Sequence, residues 1–462
     1  MLNLCARIRR PLLASSHCSF RISCNLNTSS HPPQVPQPVD NECNDFLPWL
    51  RHKYGAEFTS HLSIGKSGYG RSLFACKPIQ AGDCMLKVPD CLELTQDNLP
   101  PKVSSLLGKD VGNKAKLALV ILLHQKLGQA SEWAPYISCL PPVEEMHNTI
   151  FWSDEELEMI KPSSYLYNET LKHKDQVEKK FSSIQHVLDN FPEYFEHVTL
   201  HKFKHAHALV ESRAWVGRRS ATLVPFVEFF NHDAFSKTEI LYDDSAQILQ
   251  YIASKNYAPG DEVLIKYGKI PNAELLLHFG FTIPFNRYNM VQVEINLPQH
   301  DQLREMKLDL LNKHTTLPLK DANKLHSRGI RYMVKEVKSS SGKGRGIPQE
   351  LRTFARVVCC TSPKELQDLA LEATQNDGRL TRIPLKNRAR ELEAHQFLNL
   401  KFNNMIENCN AALESLTRHS SLLLSGNNTR RMHLARDLLG GELHILISAS
   451  AWLKNYCETL KD

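Results

Sequence analysis

The run Leu223-Val224-Pro225-Phe226-Val227-Glu228-Phe229-Phe230-Asn231-His232 decides the reading of this chain. An almost unbroken apolar stretch carries one acid and closes on an amide beside an imidazole. Taken alone, this is also how an ordinary capped strand ends. Two further segments narrow it. Upstream lies Ser67-Gly68-Tyr69-Gly70, where glycine lets the backbone come close to a ligand. Downstream, the turn Pro259-Gly260-Asp261 starts a strand pattern over Glu262–Tyr267 that ends in Tyr267-Gly268.

Between and around these segments the hydrophobic period changes. Ser72–Cys76 and Cys84–Val88 read as short strands around the turn Ala81-Gly82-Asp83, after a short opening helix at Phe46–Tyr54. Helical spacing follows in Lys116–Leu127, Asp154–Ile160 and Val177–Leu188, within an insertion of about residues 105–207. Strands return at Ile240–Tyr242 and Ile248–Ser254. From Pro298 onward the pattern is almost wholly helical: Leu398, Phe402, Met405, Cys409 and Leu413 form one stripe in Glu391–Leu416. A second long helix is expected over Arg430–Leu453, open to interruption at Gly440-Gly441. Lys338–Ile347 reads as a polar loop. The expected fold class is α+β: a β-rich domain with a helical insertion, followed by an all-α C-terminal domain.

The 462 residues suggest roughly three folded units. With 42% apolar and 23% charged residues the composition is that of a globular protein. The net charge of +6 is unevenly spread. Residues 1–39 hold Arg7, Arg9, Arg10 and Arg21 and no acid, so the remainder carries only +2. No basic stripe with interleaved aromatics remains, and no nucleic-acid partner is expected. The Arg- and Ser-rich, acid-free start reads as an organellar transit peptide, followed by the Pro-rich linker His31–Pro38, with residues 1–40 outside the fold. Chloroplast stroma or mitochondrion is the expected compartment. No run of about 18 apolar residues occurs, so no membrane span is expected. The 12 cysteines show no Cys-x-x-Cys spacing and read as reduced, structural thiols.

Two motifs invite other chemistry. Gly65-Lys66-Ser67 resembles the end of a phosphate-binding loop, but Ser60 stands where the earlier glycine belongs. His201, His205 and His207 have helical metal-ligand spacing, but Lys202 and Lys204 oppose a dication, and no metal site is expected.

The ordered triple of segments resembles the SET-domain protein lysine methyltransferases. The branch it is most similar to is that of the Rubisco large-subunit lysine methyltransferase and its non-histone relatives. Ser131–Pro141 (SEWAPYISCLP), Phe151–Leu157, Ser212-Arg213-Ala214-Trp215 and Asn272–Leu275 leading to Gly280-Phe281 support it. The resemblance implies a SET domain over 41–290 and a helical substrate-binding domain over 295–462. It implies S-adenosylmethionine as cofactor, bound by Ser67, Gly68, Tyr69, Gly70, Ser212, Arg213, Asn231 and His232. Tyr267 is implied as the catalytic residue, and Trp215, Glu228 and Phe279 as substrate-binding residues. The implied partner is a lysine of a folded protein, Rubisco large subunit or another organellar enzyme, and the enzyme is expected as a monomer. Ser67, Glu228 and Phe279 replace an acid, an Asp and a Tyr of the family pattern. These departures keep open an alternative, a non-catalytic scaffold of the same fold.

Overall fold

The computed structural model describes Cys43 and residues 45–461, except 56–57, 217–220, 315–329, 339–343, 377, 379, 381–383 and 421–425. The expected transit peptide, its linker and half of the Lys338–Ile347 loop, residues 339–343, lie outside the described residues. The chain divides into two compact units. One runs up to Met146 and resumes over Asp175–Lys269; the other comprises His147–Lys174 and Ile270–Asp462.

The first unit opens on helix α1 (Phe46–Tyr54), whose Phe46 and Leu50 are buried. Ten short strands follow among its described residues. Strands β1 (Thr59–Ser60), β2 (Leu62–Ser67), β3 (Gly70–Ala75) and β4 (Cys84–Pro89) precede the helices; β2 and β3 form an antiparallel hairpin. Helix α2 (Asn113–Leu127) buries every residue from Leu117 to His124, which makes it a central helix rather than an amphipathic one. Helix α3 (Ser164–Asn190), of which the part from Asp175 onward belongs to this unit, runs far longer than the expected Val177–Leu188, and helix α4 (Leu200–Arg213) starts on a Thr199 cap. After them come β5 (Trp215–Val216), β6 (Ala221–Thr222), β7 (Asn231–His232), β8 (Glu239–Asp243), β9 (Ile248–Ile252) and β10 (Leu264–Ile265). The largest sheet has the order β1-β4-β9-β8.

The expected strand Glu262–Tyr267 is shorter than its pattern, because its backbone changes partner along its length. The Val263 N–H donates to Leu73 O of β3 at 2.8 Å, and only Leu264–Ile265 pair with β7.

The second unit is mostly helical. Helices α5 (Gln349–Val358), α6 (Arg388–Ser420) and α7 (Gly426–Thr459) build its core, with Leu398, Phe402 and Cys409 buried along α6 as the stripe requires. Gly440-Gly441 do not interrupt α7. This unit also holds a ribbon outside the almost wholly helical pattern expected from Pro298 onward: β11 (Val291–Ile295) pairs antiparallel with β12 (Ile330–Val334), and Val291, Val293 and Ile295 alternate into the core. Part of the helical insertion belongs to this unit, because Trp152, Leu157, Ile160 and Leu166 sit in its hydrophobic cluster.

Candidate functional site

The β2–β3 hairpin closes on the pair Ser67↔Gly70, leaving Gly68-Tyr69 as its two-residue turn. Gly70 has φ +98°, a conformation that side-chain-bearing residues rarely adopt. A Cβ at Gly68 or Gly70 would meet no heavy atom within 4 Å, so the turn presents open backbone. The Tyr69 N–H donates to Ser67 Oγ at 3.1 Å, and the Tyr69 ring is exposed. Lys66 lies inside β2 opposite Arg71, with a strand and not a helix after it, which is the wrong frame for a phosphate-binding loop.

The decisive apolar run bends sharply at Phe226, whose φ +76° and ψ −48° are those of a strained, buried turn. One helical turn at Val227–Phe229 then delivers Asn231-His232 into β7, which pairs parallel with β10 in the register Asn231↔Leu264 and His232↔Ile265. From there Asn231 Nδ2 reaches Ser67 Oγ at 3.4 Å and donates to Arg71 O at 3.3 Å, joining strand and hairpin. It also lies 3.5 Å from Glu262 Oε1.

His232 Nδ1 accepts the backbone N–H of Tyr267 at 3.1 Å. The same Nδ1 lies 3.3 Å from Ile265 O, and burial lowers the pKa of the ring, which favours its neutral form. The rings of His232 and Tyr267 stack with centroids 5.0 Å apart. The Tyr267 hydroxyl donates to Phe230 O, and burial raises its pKa, so it stays protonated.

The end of α4 supplies Ser212 and Arg213. Ser212 Oγ donates to Ala208 O at 2.8 Å and accepts from Arg213 Nη1 at 2.8 Å. Arg213 Nε stands 3.8 Å from Glu228 Oε1, and neither atom has a hydrogen-bond partner among the described residues. The other oxygen, Glu228 Oε2, accepts from Tyr136 at 2.6 Å. Burial pushes the Glu228 carboxyl up to about 7, against the pull of Arg213 and the Tyr136 hydroxyl.

The first unit thus gathers Ser67, Asn231, His232 and Tyr267 through direct hydrogen bonds and ring contact, and Ser212, Arg213 and Glu228 through a second set. Trp215 is buried in β5. Phe279 lies in the second unit, in a π-helical turn over Leu275–Phe279. Tyr136 was not singled out from the sequence; it lies inside the quoted SEWAPYISCLP segment, but nothing there tells a packing tyrosine from one that meets an acid 92 positions on.

The comparisons agree with this geometry. Residues 70–268 match the SET domain family, and residues 298–446 match the family described as Rubisco LSMT substrate-binding. A chloroplastic [fructose-bisphosphate aldolase]-lysine N-methyltransferase of Arabidopsis thaliana is 27% identical over 72% of this chain and 67% of its own length. A chloroplastic ribulose-1,5-bisphosphate carboxylase/oxygenase large subunit N-methyltransferase of Nicotiana tabacum is 26% identical over 62% of this chain and 60% of its own. The solved structure of Rubisco LSMT bound to sinefungin and monomethyllysine shares the fold, with a TM-score of 0.67 over 91% of this chain and 93% of that one at 22% identity. With the paired β7 and β10 segments in place and both family matches following each other along the sequence, this chain belongs to the SET-domain protein lysine methyltransferases of the Rubisco large-subunit methyltransferase-like branch.

Proposed function

We propose that the chain is an S-adenosylmethionine-dependent protein-lysine N-methyltransferase that acts, as a monomer, on a non-histone organellar protein. The observation that carries the reading is the parallel β7–β10 pairing, which brings Asn231, His232 and Tyr267 together at the open Ser67–Gly70 turn.

The residues suit the cofactor. Gly68 and Gly70 leave space beside exposed backbone, and Arg213 Nε is a buried donor still unmet among the described residues. A guanidinium is suited to an amino-acid carboxylate. Asn231 and neutral His232 offer amide and imidazole groups to the cofactor's polar ends. When bound, S-adenosylmethionine supplies an electrophilic methyl on a sulfonium and a positive charge.

A lysine amine with a solution pKa of about 10.4 must be neutral to use its lone pair. Tyr267 stays protonated near neutral pH, so it is unsuited to act as the base. With its proton given to Phe230 O, its oxygen lone pairs remain to accept an N–H of the amine and orient it. Trp215, Glu228 and Phe279 are the proposed substrate-side residues. The acid-free, arginine-bearing residues 1–39 and the chloroplastic names of two relatives support an organellar substrate, with Rubisco large subunit as the first candidate.

Transfer of labelled methyl from S-adenosylmethionine into organelle extract tests the reading. Tyr267→Phe and Arg213→Ala should each lose most of the activity; full activity in either removes that residue's role. If calorimetry finds no cofactor binding at millimolar concentration, the scaffold reading replaces this one. A diffuse cytosolic signal from residues 1–45 fused to a fluorescent protein would overturn the compartment.

A further inference from the structure

Lys53, in the last turn of α1, holds its ammonium among three aromatic rings. Its Nζ lies 4.3 Å from the Trp133 ring centroid, 5.4 Å from Trp49 and 5.8 Å from Tyr54. Glu132 completes the enclosure with a carboxylate oxygen 3.0 Å from Nζ. Three ring faces and one acid around a single cation is the construction that recognises methylated ammonium groups. All of these residues belong to the first unit, and none has a role in the site already described.

Two of the walls are held by packing, while the occupant is partly exposed. Trp133 is buried and packs edge-on against Trp49 at 5.7 Å and Tyr136 at 6.3 Å, and its backbone N–H donates to Ser131 Oγ at 3.0 Å. Trp49 in turn stacks on buried Phe46 at 5.7 Å. Trp133 Nε1 is buried with no acceptor among the described residues, so one donor in the wall is unmet. By contrast, the Lys53 side chain is 28% exposed and that of Glu132 66%, so the cage opens to solvent on the side of their ion pair. A solvent-exposed pair of this kind is a weak anchor. Methylation makes an ammonium cheaper to desolvate while keeping its charge, so the same rings favour a methylated lysine over a plain one.

We propose that Trp49, Tyr54, Trp133 and Glu132 form a second binding site, for a trimethylated lysine side chain, in which Lys53 is the built-in occupant that such a ligand displaces. As a tethered competitor Lys53 is present at high effective concentration, so it sets the threshold for entry. That the ligand arises as a product of this chain's own chemistry rests on the methyltransferase reading; the existence of the cage does not.

The test uses the full chain without methyl donor, with N-acetyl-trimethyllysine methylamide and its unmethylated counterpart as probes and tryptophan fluorescence as readout. Lys53→Ala, which empties the cage, should bind the trimethylated probe at least tenfold more tightly than wild type, and at least tenfold more tightly than it binds the unmethylated probe. Lys53→Ala/Glu132→Gln, altered only at the open side, should lose much of that gain. Equal affinity in wild type and Lys53→Ala would overturn the proposal, since the signal would then come from elsewhere. So would a Lys53→Ala variant indifferent to methylation. No methyl transfer enters this readout, so failure of the catalytic reading would show separately in the labelled-methyl assay.

Discussion

Tyr136 donates its hydroxyl to Oε2 of Glu228 across 2.6 Å, between two buried side chains. The contact joins the short helix Ala134–Ile137 to the strained turn that precedes Asn231-His232. It is also the direct hydrogen bond that the carboxylate retains against burial, with Arg213 helping from 3.8 Å.

Removing that hydroxyl removes a stabiliser of the Glu228 anion. The carboxyl titrates near 7 in the intact protein, so in Tyr136→Phe its midpoint should rise, by about one pH unit for a hydrogen bond of ordinary net strength. S-adenosylmethionine affinity measured by calorimetry from pH 6 to 9 should show the inflection move upward. An unmoved profile would separate Tyr136 from the site.

Glu442 on α7 is a second buried carboxyl, pushed up to about 7 by burial although it accepts the Ser163 hydroxyl at 2.5 Å. Its folded pKa lies above the ordinary 4.5, so the folded state holds the proton more tightly. Stability from this group is therefore fully present in acid and lost as pH rises from 4.5 to about 7. Glu442→Gln keeps an acceptor for Ser163 and removes the charge. It should stabilise the protein at pH 8 by as much as about 3 kcal/mol and change little at pH 4.5, as read by denaturant melts at both values.

Arg356 and Glu391 form a buried two-pronged pair, with N···O distances of 2.8 and 2.7 Å, and Tyr456 adds its hydroxyl at 3.0 Å. Taking away the cation strands the acid. Arg356→Met should cost roughly 3–5 kcal/mol of unfolding free energy, and Arg356→Met/Glu391→Leu should recover much of it. A single variant as stable as wild type would contradict the burial found here.

Gly280, at φ +77°, comes so close to the segment holding Asn148 that an added Cβ would lie 2.9 Å from the Asn148 backbone nitrogen. Asn148 Nδ2 also donates to His278 O at 2.7 Å, tying the two stretches together. Gly280→Ala combines strained backbone with a steric clash and should lower stability by roughly 1–3 kcal/mol. Gly68→Ala, facing open space, should leave the melting temperature almost unchanged.

Much of this was legible in advance because it rests on local regularity. Helix α1 falls on the residues its pattern marked, and the stripe Leu398, Phe402, Cys409 lies buried on α6, since a periodic apolar face is a property of the sequence itself. The ribbon β11–β12 was not legible. Ile330–Val334 is too short to announce a strand, and it forms one because β11, about 35 positions earlier, offers a matching edge. For the same reason the strand expected at Glu262–Tyr267 shrank once its backbone was shared between β3 and β7.

The sequence by itself determined the order of three chemistry-bearing segments, the split between β-rich and helical regions, and an uneven charge concentrated in residues 1–39. These are properties of neighbours along the chain. Only the tertiary structure decided that Asn231 reaches Ser67, that His232 meets the backbone of Tyr267, and that Glu228 answers to Tyr136. It also decided that Lys53 occupies an aromatic cage completed by residues about 80 positions away. Hydrogen bonds and ring contacts act over a few ångströms of space, and chain order leaves that proximity open until the fold closes.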